Sequence, residues 1–327
     1  MNYTGTFEGS PSAAAFAAYN IPSEEWISYT QALLVIAGAD GKLSSDESEW
    51  LSSAFLNVVK ANTEAREYLE NYDFGAQKIE ELLTDLNFKT PLNHKRALLY
   101  DAVHMSRADF VYAPEEQSSV HRAAEYMKIP SYLTKAIEGL VNTEKAVEMT
   151  RKAIFELEEH KKGDGLYKVS DPNSFKASIH ERNMLGLKHV EENLQRLYGF
   201  ALMIIAGADG EVSEREQEWY KSDFAVNTSV STQVVKEVLD FDYRHESLED
   251  VISELNKKVP VNIKRTLLYN AIKMARADKL YPSEERMAVE RAASLLDVNE
   301  DIMHTIQHLV MTEEKVAKLK KTLFIAS

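Results

Sequence analysis

Four short stretches of this chain place a glutamate seven residues after an aspartate. They are Asp40-Gly-Lys-Leu-Ser-Ser-Asp-Glu47, Asp109-Phe-Val-Tyr-Ala-Pro-Glu-Glu116, Asp209-Gly-Glu-Val-Ser-Glu-Arg-Glu216 and Asp278-Lys-Leu-Tyr-Pro-Ser-Glu-Glu285. Each aspartate follows a small residue (Ala39, Ala108, Ala208, Ala277) and each glutamate opens a helix-forming run. The aspartate therefore falls in the turn leaving one helix, and the glutamate in the first turn of the next. Doubling back brings both carboxylates to one end of a helical hairpin, and two hairpins in one domain can bring four together. Oxygen donors of this kind, with backbone carbonyls and water, suit Ca²⁺, Mg²⁺ or Mn²⁺ rather than a soft metal. An EF-hand is excluded, because its Asp-x-Asp-x-Asp-Gly loop closed by a glutamate at the twelfth position is missing.

Ordinary structural chemistry competes with this reading. Ser44 with Glu47, and Ser213 with Glu216, have capping-box spacing. Acids at a helix start suit the helix dipole, and Asp-Gly is a common turn. Arg107, Arg276, Arg122 and Arg291 are cations near enough in sequence to neutralise the aspartates. Capping leaves Glu116 and Glu285 unexplained, since the proline ahead of them shifts by one position while the Asp-to-Glu interval holds. Phe110 and Lys279 follow the second aspartate of each pair where glycine follows the first. A side chain there disfavours left-handed backbone, so a differently shaped second turn is expected.

The elements that must position these groups repeat. The string Ile36–Gly41 recurs at Ile205–Gly210, an offset of 169 residues (205 − 36). The same offset relates Pro91 to Pro260, Leu98-Leu99-Tyr100 to Leu267-Leu268-Tyr269, Arg107-Ala108-Asp109 to Arg276-Ala277-Asp278, and Phe155 to Phe324, with no gap required. The period is too long for a solenoid repeat, so each copy is expected to be a domain in itself. The expected boundaries are an N-terminal tail at 1–23, domains at 24–157 and 187–327, and a polar linker at 158–186 containing HKKGDG and SDPNS. Ile79, Leu82, Leu83 and Leu86 make a helical apolar stripe, repeated by Leu248, Val251, Ile252 and Leu255. Asn93 and Thr143 read as helix starts. The fold class is all-α: two tandem copies of a bundle of seven to eight helices, without a strand.

Composition agrees. Of 327 residues, 44% are hydrophobic and 28% charged, which is the balance of a folded chain, and only 12 glycines and 8 prolines interrupt it. The 52 acidic residues outweigh 38 basic ones for a net charge of −14, a field that repels nucleic acid and anionic lipid and draws cations or basic partner surfaces. The absence of cysteine rules out disulfides, thiolate zinc, iron–sulfur clusters and a thiol nucleophile. No apolar run approaches the ~20 residues a bilayer requires. Glu8 interrupts any secretory signal, and the cytoplasm is the expected compartment.

At the strings AGADGKLSSDESEW with SRADFVYAPEEQ, and AGADGEVSEREQEW with ARADKLYPSEER, the chain resembles the TerB-like domains of tellurite-resistance proteins and of the N-terminal region of a membrane-anchored DnaJ-like co-chaperone. The resemblance implies an all-helical bundle and metal binding by the acidic turns. Carried over residue by residue, it implies Asp40, Glu47, Asp109 and Glu116 in the first copy and Asp209, Glu216, Asp278 and Glu285 in the second. It also implies a role in stress response and in assemblies near membranes.

Other constellations are weaker. His304 and His308 stand four apart, but the first copy has Lys135 and Gly139 there. Lys95-Arg96 and Lys264-Arg265 sit near helix starts and read as an anion site, as solvated charge or as a link to the acidic turns. Trp50 and Trp219 read as packing anchors. No Gly-x-Ser-x-Gly elbow, P-loop or dinucleotide fingerprint occurs. The expectation is a non-enzymatic, divalent-cation-binding regulatory or scaffolding protein with a protein partner, no nucleic-acid partner and no membrane insertion. A metal-independent interaction module and a metal-dependent hydrolase are the alternatives.

Overall fold

The computed structural model describes residues 9–83, 88–155, 191–259 and 261–325. Leu86, Pro260 and the expected linker at 158–186 lie outside them. The chain divides into two compact units, Met1–Ala146 together with Glu314–Ser327, and Val147–Glu313. Among the described residues every regular element is helical, apart from one isolated bridge pair, Leu92 with Ile325.

In the first unit α1 (Pro11–Ala18), α2 (Ser23–Ala37), α3 (Ser45–Trp50), α4 (Thr63–Glu70), α5 (Ile79–Leu82), α6 (His94–Ser106), α7 (Pro114–Tyr126) and the start of α8 (Ser131–Phe155) surround one core. Helix α2 is its axis. Glu24 and Glu25 favour its N-terminus through the dipole; Trp26, Tyr29, Leu33 and Ile36 line one face, and Ala32, Leu34 and Val35 bury on others, so α4, α5, α6 and α7 all pack on it. In the second unit α9 (Glu192–Ala206) takes that place among α11 (Thr232–Leu239), α12 (Leu248–Asn256), α13 (Val261–Ala275) and α14 (Ser283–Leu295). α10 (Glu214–Trp219) runs into a π-helical turn at Tyr220–Ala225, as α3 does into Leu51–Leu56, and α15 (Glu300–Phe324) is the last helix. The apolar stripe on α12 is buried throughout.

Several expectations are corrected. Residues 9–23 do not behave as a tail. Pro11 sits at the first helical position behind the Ser10 cap, Phe16 is 1% exposed, and Ser10 Oγ donates to Asp101 Oδ2 at 2.7 Å. Tyr29 Oη donates to the same oxygen at 2.7 Å. Burial pushes the Asp101 carboxyl up to about 7, against the opposing pull of those hydrogen bonds. Asn270 stands at the equivalent position of the second unit and donates to Tyr198 Oη at 2.9 Å. Thr143 opens no helix. It lies inside α8 with its hydroxyl bonded to the Gly139 carbonyl, and Ser131 after Pro130 is the real start.

With no proline between 131 and 155, α8 runs unbroken through Gly139 to Phe155. Its Ile137, Leu140 and Val141 belong to the first core, whereas Ile154 and Phe155 belong to the second. Helix α15 does the converse. Met303, Ile306 and Leu309 fill the second core, and Leu323 with Phe324 fill the first.

Candidate metal centre at the acidic junctions

The first acidic junction of each unit begins with a helix end that a glycine shapes. After α2, Gly38–Asp40 forms a single 3₁₀ turn closed by Gly41 at φ +95°. After α9, Gly207–Asp209 does the same, closed by Gly210 at φ +107°. The ring of Phe74 lies where a Cβ on Gly38 would be, 2.4 Å away, and the ring of Tyr243 lies 2.3 Å from a Cβ on Gly207. Tyr243 Oη also accepts from the Val212 amide at 3.2 Å, and Arg244 donates to the Gly210 carbonyl. These two rings escaped the sequence reading, although aromatic residues at the repeat offset were a usable signal. Gly207→Ala is expected to push Tyr243 off the junction and cost ~1–3 kcal/mol, read by denaturant unfolding. An unchanged midpoint would show that the ring does not hold the turn.

The four turns share one backbone design. At each, the aspartate Oδ1 accepts the amide two residues on: Lys42 at 3.1 Å, Val111 at 2.8 Å, Glu211 at 3.1 Å and Leu280 at 2.7 Å. Phe110 at φ +66° and Lys279 at φ +72° adopt the left-handed conformation that Gly41 and Gly210 adopt. The expected difference in shape between first and second turns is therefore absent. A non-glycine residue there costs of order 1 kcal/mol, and the aspartate's bond across the turn offsets part of it.

The glutamates point inward. Glu47, Glu116, Glu216 and Glu285 are all 4% exposed or less, while Asp40 and Asp209 are exposed and Asp109 and Asp278 half-buried. Three of the glutamates return one oxygen to a helix-capping amide: Glu47 to Ser44 at 2.6 Å, Glu116 to Ala113 at 2.7 Å and Glu216 to Ser213 at 2.7 Å. Capping thus does account for one oxygen of Glu116, contrary to expectation. It cannot for Glu285, because the residue at that place is Pro282, which has no amide hydrogen. Glu285 Oε2 is accordingly buried with no donor of another residue to bond it, and so is Glu216 Oε1.

Helix α7 packs on the turn carrying Asp40, and α14 on the turn carrying Asp209, so the two junctions of a unit meet. Glu116 lies within hydrogen-bonding reach of Glu47, as Glu285 does of Glu216. Burial, then the Glu47 carboxyl, pushes Glu116 up to about 8, with the Asp40 charge adding to it. Burial, then the charges of Glu216, Asp209 and Asp278, pushes Glu285 up to about 8. Burial likewise raises Glu216 to about 7, with Asp278 and Asp209 contributing. In the second unit Glu216 and Glu285 therefore each feel both Asp209 and Asp278. In the first, Glu116 feels Asp40 and Glu47.

The arginines that could have neutralised them are turned elsewhere. Arg107 lies over the Tyr112 ring and Arg276 over that of Tyr281, while Arg122 pairs with Glu80 and Arg291 with Glu249. Arg96 and Arg265 donate to the carbonyls of Leu323 and Ile154. His304 approaches Glu300 at 4.0 Å. Among the described residues no group of three or more His, Asp or Glu side chains stands as a ready-made ligand shell. The aspartate Oδ1 atoms are committed to their own turns, which fits like charges kept apart.

The architecture is an all-helical bundle whose acidic junctions converge in pairs. Within it, residues 195–308 of the second unit match the family model of tellurite resistance protein TerB. No curated protein and no solved structure matches the chain. Among the described residues no helix is long and apolar enough to cross a membrane.

Proposed function

We propose that both units are TerB-like domains in tandem and that each binds one divalent cation between its paired acidic junctions. The ligands would be Asp40, Glu47, Asp109 and Glu116 in one unit and Asp209, Glu216, Asp278 and Glu285 in the other. The observation that carries this reading is the pair of buried oxygens on Glu216 and Glu285 that no donor of another residue satisfies, set beside the charges of Asp209 and Asp278. A buried carboxylate without a partner is costly, and either a proton or a cation relieves it. Oxygen-only donors favour Ca²⁺, Mg²⁺ or Mn²⁺.

A bound cation would tie two helical hairpins together and fix the surface they present. The protein would then serve as a metal-responsive scaffold or regulator, binding a protein partner rather than performing catalysis. The TerB likeness supports a place in tellurite-type stress response, and we assign the protein to the cytoplasm. The chief alternative is a metal-independent interaction module. It draws support from the first unit, where Glu47 and Glu116 each have one oxygen satisfied by a cap.

Thermal melting against a panel of divalent ions separates the two. Cation at a hundred times its dissociation constant should stabilise by about 2.7 kcal/mol, raising the melting temperature by roughly 5–10 °C for a unit of this size. Asp209→Asn with Asp278→Asn should abolish the rise in the second unit, and Asp40→Asn with Asp109→Asn in the first. Equal melting with and without every ion would leave the interaction module standing.

A further inference from the structure

Each unit is completed by a helix end whose form is the same in both although its sequence is not. In the first unit Lys320, 3% exposed, donates to Tyr100 Oη at 2.8 Å and to Glu144 Oε1 at 2.9 Å, and Tyr100 Oη itself donates to that carboxylate at 3.0 Å. Phe324 is fully buried with its ring 5.1 Å from that of Tyr100. Arg96 clamps the Leu323 carbonyl at 3.2 Å, and the Asn93 amide donates to the Phe324 carbonyl at 2.7 Å. In the second unit Arg151 donates to Tyr269 Oη at 2.9 Å and to Glu313 at 2.7 Å, Phe155 packs 5.5 Å from Tyr269, and Arg265 clamps the Ile154 carbonyl at 2.8 Å.

The two inserted ends are Arg-Lys-Ala-Ile-Phe (151–155) and Lys-Lys-Thr-Leu-Phe (320–324). Their shared pattern is a basic residue, an aliphatic residue three positions on, and phenylalanine. Those are the positions the pocket contacts. A buried cation bonded to a carboxylate and a phenol fixes register, because a shifted helix would leave Glu144 buried with an apolar neighbour. The phenylalanine supplies the apolar anchor, and the arginine satisfies a carbonyl that the helix end leaves free. Neither feature belongs to the acidic junctions.

We propose that the Asn93–Arg96–Tyr100–Glu144 pocket is a docking site for a helix end of the form basic-x-x-aliphatic-Phe, and that a second copy of this chain delivers the same end to it in trans. In the resting chain residues 320–324 fill it. Exchange between copies loses no contact, which is the condition under which swapped assemblies form readily. The pocket recognises by charge, ring and carbonyl together, so its selectivity is testable independently of any cation, in excess chelator.

The full chain carrying Lys320→Glu places like charge against Glu144 and vacates the pocket. A labelled peptide covering Met311–Ile325 should bind this chain saturably, at least tenfold more tightly than it binds the wild-type chain, whose own end competes. The same peptide with glutamate in place of its Lys320 should bind at least tenfold more weakly. Glu144→Lys in the otherwise wild-type chain, where the chain's own Lys320 then faces like charge, should reverse that peptide preference, which a merely structural role would not do. If Lys320→Glu prevents folding, the Lys320→Gln chain, which removes the charge and keeps the length of the side chain, serves for the same titrations. Equal binding of the two peptides, or no binding by a vacated chain that retains its helical circular dichroism, would overturn the proposal.

Discussion

Raising the pH of the metal-free protein from about 5 to about 8 should lower its stability, the reverse of the usual acid sensitivity of carboxylate-rich proteins. The sign follows from the direction of the shifts. Glu116 and Glu285 are pushed up to about 8, and Glu216 and Asp101 to about 7. A carboxyl raised in the folded state holds a proton that the unfolded chain has already released. The folded state is therefore favoured at low pH, beginning near the unfolded value of roughly 4, and this advantage is lost as pH rises through 7 and 8. One pKa unit corresponds to about 1.4 kcal/mol, so retaining a single unit at each of a unit's two raised carboxyls amounts to about 3 kcal/mol. Saturating cation should flatten the dependence above pH 7, because it replaces the proton with a more effective counter-charge. Urea midpoints at several pH values, with and without ion, measure both effects. A metal-free stability that climbs steadily from pH 5 to 8 would show that the carboxylates are not packed against one another as described.

Phe324→Ala should destabilise the first unit by about 3–5 kcal/mol, the range for removing a large aromatic from a core, although the residue lies near the end of the chain. Phe155→Ala should do the same to the second. Phe324 is fully buried and Phe155 is 3% exposed, so each removal leaves a hole beside a buried tyrosine. The three tryptophans report the units separately, since Trp26 and Trp50 pack with the first core and Trp219 with the second. In a Trp219→Phe background, fluorescence follows the first unit alone, and Phe324→Ala should shift its unfolding midpoint strongly while Phe155→Ala should not. The opposite pattern would contradict the exchange of helix ends between the two cores.

Much of this was legible in the sequence because local chemistry dictated it. The capping serines Ser44 and Ser213, the asparagine cap at Asn93 and the apolar stripe of α12 each act within a few residues, so spacing alone reveals them. The four Asp-to-Glu intervals were equally plain, and so was the all-helical class.

What escaped depended on contacts distant in sequence. Nothing local marks the partners of Arg96 and Lys320, 227 and 220 residues away respectively. The Ser10–Asp101 bond that draws α1 onto the core spans 91 residues. The left-handed Phe110 and Lys279 contradicted propensity because the aspartate's hydrogen bond across the turn favours the same loop whichever residue follows. Glu285 was legible only in part. Pro282 was visible in the sequence, but its consequence, an orphaned carboxylate oxygen, required knowing that the equivalent amide in the first unit is used.

The decisive measurement is calorimetric titration of Ca²⁺, Mg²⁺ and Mn²⁺ into the full chain near pH 6.5, in two buffers of different ionisation heat. Glutamates pushed up to about 7 and 8 carry protons there, and a cation must displace them. The account predicts two sites per chain, with about one proton released per ion bound and the release vanishing as pH passes the raised values. Absence of heat with every ion, or binding with no proton released at pH 6.5, would contradict it.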